Sequence, residues 1–182
     1  MSAAEMLSVA AFIEGKSAQA FPSFGSERMG APVTSYCRID DKPIRLREPV
    51  MQPDILVIQD PTLLHERNLL EGLTPAGYIL LNSSRPVDQF KISHPRGNFA
   101  PGHFRTLAAT EIALRLLGRP LPNGALLGGL AALTGVLKLE SICAAIRSKF
   151  AGNIGERNAA AAAEAFQIVL QSAEQAVEVA PC

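Results

Sequence analysis

The sequence predicts one α/β domain of Rossmann-like type, with a mixed or mainly parallel sheet flanked by helices. Three features predict it. The runs 54–59 (DILVIQ) and 78–82 (YILLN) are short, almost wholly apolar and bounded by polar residues, as strands covered on both faces are. A short helical stretch, 63–71, stands between them, so 54–82 reads as a βαβ unit with a right-handed crossover. Residues 104–182 are mainly helical and can cover such a sheet.

The elements follow in order. Residues 3–13 (AAEMLSVAAFI) are good helix formers, with Ser2 as a cap and Gly15 as a stop. Residues 17–21 form a short strand, followed by a Gly- and Pro-rich loop from Pro22 to Pro32. Residues 33–39 (VTSYCRI) are β-branched and aromatic and read as a strand. The turn chemistry of Asp40-Asp41-Lys42-Pro43 and the alternation of 44–47 (IRLR) predict that these two stretches make a hairpin. Residues 83–102 read as loop with a short strand near Phe90. Helices are predicted over 104–117, 124–136, 139–149 and 156–177. The second of these (GALLGGLAALTGV) has no polar face, so it is buried, and its glycines call for close approach by another element.

Composition narrows the function. A chain of 182 residues suits one domain, taken here as 1–182. Lys+Arg and Asp+Glu balance at 17 each, which argues against a nucleic-acid partner and suits a chain that lives in an assembly. The cysteines, Cys37, Cys143 and Cys182, are odd in number and widely spaced, which predicts reduced thiols in the cytoplasm. There is no CxxC, no Cys/His cluster and no HxH or HxxxH spacing among His65, His94 and His103, so no metal is expected on this chain. No basic region precedes the first apolar stretch, and no apolar run is long enough to span a bilayer; neither a signal peptide nor a membrane partner is expected.

The most unusual stretch is Ala20 to Pro32 (AFPSFGSERMGAP), with two aromatics, an adjacent acid and base, two glycines and two prolines. Gly25 and Gly30 permit positive φ or close approach by another chain. Arg28 suits a phosphate or carboxylate on a partner. The plainer reading is a structured loop with solvated charges. Minor candidates follow strand ends. Asp60 or Thr62 reads as a helix cap, Ser83-Ser84 as a turn at a position where α/β sheets bind ligands, and Asn123 as a cap or a secondary site residue.

The segment AQAFPSFGSERMGAPV, followed by TSYCRIDDKPIRLRE, resembles the gamma subunit of pyruvate and related 2-oxoacid:ferredoxin oxidoreductases. PDILVIQDPTLL (53–64), the block 117–150 and the alanine-rich tail with Asn158 match further stretches of that family. The resemblance implies a subunit that carries no cofactor alone. Thiamine diphosphate, Mg, [4Fe–4S] clusters and coenzyme A belong to a complex with alpha, beta and delta subunits, and an NAD-linked form adds a flavin subunit. It further implies that Phe21, Pro22, Ser23, Phe24, Gly25, Glu27, Arg28, Gly30 and Pro32 face a partner near the coenzyme A and thiamine cleft. Pyruvate is the expected 2-oxoacid, with branched-chain acids and phenylglyoxylate as alternatives. This chain departs from the pattern twice. The family opens on a β-strand and a GRGGQG-type turn ahead of the first helix, so the expected sheet lacks its first strand and a phosphate site at that turn is not expected; a start codon placed downstream of its true position would account for this. Gly124 also stands where the family has Thr. A free-standing Rossmann enzyme is the competing reading. It should show GxGxxG after a strand with an acid about 20 residues on, and the sequence has none. A pure scaffold is the third reading.

Overall fold

The computed structural model describes residues 3–23, 33–66, 68–90, 92 and 99–178. An opening helix, α1 (Ala3–Ile13), leads into β1 (Ser17–Ser23) and β2 (Thr34–Asp40). Then come β3 (Ile55–Ile58), β4 (Tyr78–Asn82) and β5 (Phe104–Leu107). Four helices close the chain: α2 (Ala109–Leu117), α3 (Asn123–Thr134), α4 (Leu139–Lys149) and α5 (Gly152–Glu178).

β3, β4 and β5 form a parallel sheet in that order, with Ile55 beside Tyr78 and Ile79 beside Phe104. The central strand is buried on both faces, as its unbroken apolar run requires. Ile79 and Leu81 meet Ile58, Leu73 and Phe104 on one side; Leu80 meets Leu107, Leu126 and Val169 on the other. Three predicted elements change here. The crossover at 63–71 is not an α-helix: a 3₁₀ turn, Pro61–His65, is followed by irregular turns. Leu63, Leu64, Leu69, Leu70 and Leu73 still reach the core, so the apolar spacing that mimics a helix serves a loop. Gly72 explains why the chain stays irregular. Its φ is +81°, and a Cβ there would lie 1.8 Å from the Met51 carbonyl oxygen. The second change is at 104–117, where the first four residues are the third strand and only 109–117 is helix. The short strand expected near Phe90 is a 3₁₀ turn, Val87–Gln89.

β1 pairs antiparallel with β2, from Ser17 opposite Asp40 to Ser23 opposite Thr34, in a sheet of their own. The predicted hairpin between 33–39 and 44–47 is therefore corrected: the partner of β2 lies before it, and 44–47 is not a strand. The Asp40 carboxylate accepts from the Lys42 N–H 2.9 Å away, turning the chain, and Pro43 removes a donor from any new ladder. The segment instead crosses the outer face of the hairpin. The Arg38 guanidinium donates to the carbonyls of Glu48 and Pro49, each 3.3 Å away. The Gln19 amide bridges the Leu46 carbonyl and the Arg47 Nε.

The helices pack as their sequences demand. α3 is buried from Gly124 to Ala131 and lies against α5. At Gly128 a Cβ would sit 1.9 Å from the Ala162 carbonyl oxygen, so the two backbones touch where the side chain is absent. α1 clamps the corner between α3 and α4. Glu14 accepts from the Lys138 N–H at 2.7 Å, and Lys16 donates to the Val136 carbonyl at 2.9 Å. Partial burial would raise the Glu14 carboxyl, but the Lys138 N–H, the Ser141 hydroxyl and the charges of Lys16 and Lys138 together hold it below the usual range. α4 has no capping side chain of its own, so Glu14 supplies both the acceptor and the negative charge its N-terminus favours.

Candidate site at the carboxyl ends of the parallel strands

Three strand ends and two helix starts converge on one cleft of about 750 Å³. β3 delivers Gln59 and Asp60, β4 delivers Asn82 to Arg85, and β5 delivers Ala108 and the start of α2. Pro120 and Pro122 form the wall that leads into α3. Such crevices outside the carboxyl ends are where open α/β sheets hold ligands.

Asn82 organises the floor. Its Nδ2 donates to the Gln59 carbonyl at 2.9 Å and to the Thr110 hydroxyl at 2.8 Å, while its Oδ1 accepts from the Thr110 N–H at 3.1 Å. Ala108, at the start of α2, offers no capping side chain, so Asn82 caps that helix from the neighbouring strand. One buried amide thus ties β3, β4 and α2 together. The expected minor candidates take definite places. Asp60 accepts from both the N–H and the hydroxyl of Thr62, at 2.9 and 2.7 Å, and these bonds hold its carboxyl below the ordinary value. Ser83 accepts from the Arg85 N–H at 3.0 Å, a turn as read from the sequence. Asn123 makes no side-chain cap bond to α3; its Oδ1 accepts from Gln59 Nε2 at 2.8 Å, joining the end of β3 to the start of α3. Arg85 lies 4.8 Å over the Phe90 ring.

The lining groups are amides, hydroxyls, two carboxylates and a guanidinium. They suit binding and orientation; no His or Cys stands among them to pair as nucleophile and base.

The principal sequence candidates lie elsewhere. Phe21, Pro22 and Ser23 belong to β1, where the Phe21 ring tilts against Tyr36 with centroids 5.5 Å apart, and Pro22 lies opposite Ser35. Phe24, Gly25, Glu27, Arg28, Gly30 and Pro32 lie outside the described residues. The structure does not bring Phe21, Pro22 and Ser23 into the cleft beside Asn123 and Gln59; β1 and β2 form a separate sheet against α1. Gln59, Asn82 and Thr110 were missed by sequence reasoning. The available signal was Asn82 itself, an amide ending a buried apolar strand.

The chain has three cysteines, one fewer than the four thiolates that the common [4Fe–4S] centres use. Among the described residues no group of three or more His, Cys, Asp or Glu could hold a metal ion. Burial pushes the Cys37 thiol up to about 11. Burial also raises Cys143, which is enclosed between α4 and α5 with its thiol 3.7 Å from the Ala159 carbonyl. Both should therefore react with iodoacetamide at pH 7.5 at least about tenfold more slowly in the folded chain than in urea. Peptide mass mapping over time measures this, and equal rates would contradict the packing of β2 and α4.

Fold and cleft together define an α/β domain with a polar crevice at the carboxyl ends of its parallel strands. The sequence matches the pyruvate ferredoxin/flavodoxin oxidoreductase family over residues 1–168, and the chain belongs to that family. It is 45% identical over 166 residues to the pyruvate/ketoisovalerate oxidoreductases common subunit gamma of Thermococcus kodakarensis, covering 91% of this chain and 88% of the relative. It is 42% identical over 171 residues to the pyruvate synthase subunit PorC of Methanocaldococcus jannaschii, covering 94% and 90%. Among solved structures it superposes on the pyruvate oxidoreductase subunit PORC of Thermotoga maritima with a TM-score of 0.75 and 32% identity, over 91% of this chain and 86% of that one. The resemblance seen in the 20–32 block and the α/β fold expected from it therefore hold across the chain.

Proposed function

We propose that this chain is the gamma subunit of a 2-oxoacid:acceptor oxidoreductase that converts pyruvate and coenzyme A to acetyl-CoA and carbon dioxide. In this reading, thiamine diphosphate with Mg and the [4Fe–4S] clusters reside on alpha, beta and delta subunits, and ferredoxin or NAD takes the electrons. The chain works in the cytoplasm and turns over no 2-oxoacid alone. The observation that carries the reading is the near-full-length similarity to proteins named as gamma subunits. The relatives' names also mention ketoisovalerate, which favours branched-chain 2-oxoacids as the second reading. No described helix is long and apolar enough to cross a membrane.

The test has two parts. The tagged chain, taken from its native cell, is expected to bring down thiamine- and cluster-bearing partners with pyruvate-dependent reduction of a viologen dye, whereas the isolated chain is inactive. Within that complex, Arg28→Ala is expected to weaken assembly or to raise the apparent KM for coenzyme A about tenfold, the loss of one charge-assisted contact. An active isolated chain would refute the subunit reading. Unchanged assembly and KM would remove the role given to the 21–32 loop.

A further inference from the structure

We draw no further inference here: the strongest candidate, the outer edge of β3, which pairs with β4 alone among the described residues and leaves Ile55 and Val57 half-buried, carries nothing new, because a strand added there restates the one that the family resemblance already places ahead of the first helix, and nothing in the structure shows another occupant.

Discussion

Gly128→Ala is expected to destabilise the chain by about 3 kcal/mol, the upper range for overpacking. For a domain of this size that lowers Tm by about 6–12 °C. The cost comes from one contact. A Cβ at this position meets the Ala162 carbonyl oxygen at 1.9 Å, its carbon at 2.5 Å and its Cα at 2.7 Å. All three are backbone atoms of α5, so no side chain can swing away. In an open helix the same change would stabilise by about 1 kcal/mol through helix propensity; the steric clash has to outweigh that gain. Gly124 supplies the graded comparison. Its added Cβ would meet the Asn158 carbonyl oxygen at 3.1 Å, a contact that a shift of a few tenths of an ångström relieves. Thermal denaturation of both variants should rank Gly128→Ala well below Gly124→Ala. A Gly128→Ala chain that melts with wild type would mean that α3 and α5 lie farther apart than described.

Asn82→Ala should cost a similar amount, about 3 kcal/mol, by a different route. The side chain is only 9% exposed and makes three hydrogen bonds. Removing it strands the Thr110 N–H and takes a donor from the Gln59 carbonyl. Each such loss in a buried setting costs about 1–3 kcal/mol, and the stranded Thr110 N–H is itself the lost cap of α2. Asn82→Asp is the sharper variant. It can keep the acceptor for Thr110 but faces the Gln59 carbonyl with an oxygen instead of an N–H. Chemical denaturation measures the cost, and amide hydrogen exchange locates it: the first turn of α2 should lose protection before α4 does. Uniform loss across all helices would show that Asn82 fills space and does not act as a cap.

How much of this was legible from sequence varies with how local the cause is. β4 and α4 match their predicted limits, 78–82 and 139–149, because a fully buried run and an amphipathic helix with cations in its last turn each carry their own signal. The burial of α3 follows equally from its lack of any polar face. β5 was hidden because FRTL runs into ATEIALRLL with a single residue, Ala108, between strand and helix. The pairing of β1 with β2 was misread because Asp40-Asp41-Lys42-Pro43 looks like a hairpin turn, while the true partner lies across a longer connection. The 20–32 block stood out by composition and family resemblance. The cleft did not, since Gln59, Asn82 and Thr110 come from three separate segments and meet only when the sheet forms.

The clamp between α1 and the α3–α4 corner has a consequence for the order of events during synthesis. Its two bonds span 120 and 124 residues, from Lys16 to Val136 and from Glu14 to Lys138. β1 and β2 can pack against α1 soon after it emerges from the ribosome, but α3 and α4 do not yet exist. The face that meets them must wait for 124 further residues before Lys138 reaches Glu14. Closure over so long a loop is slow. A nascent chain stalled before the corner is complete is therefore the form most in need of a chaperone.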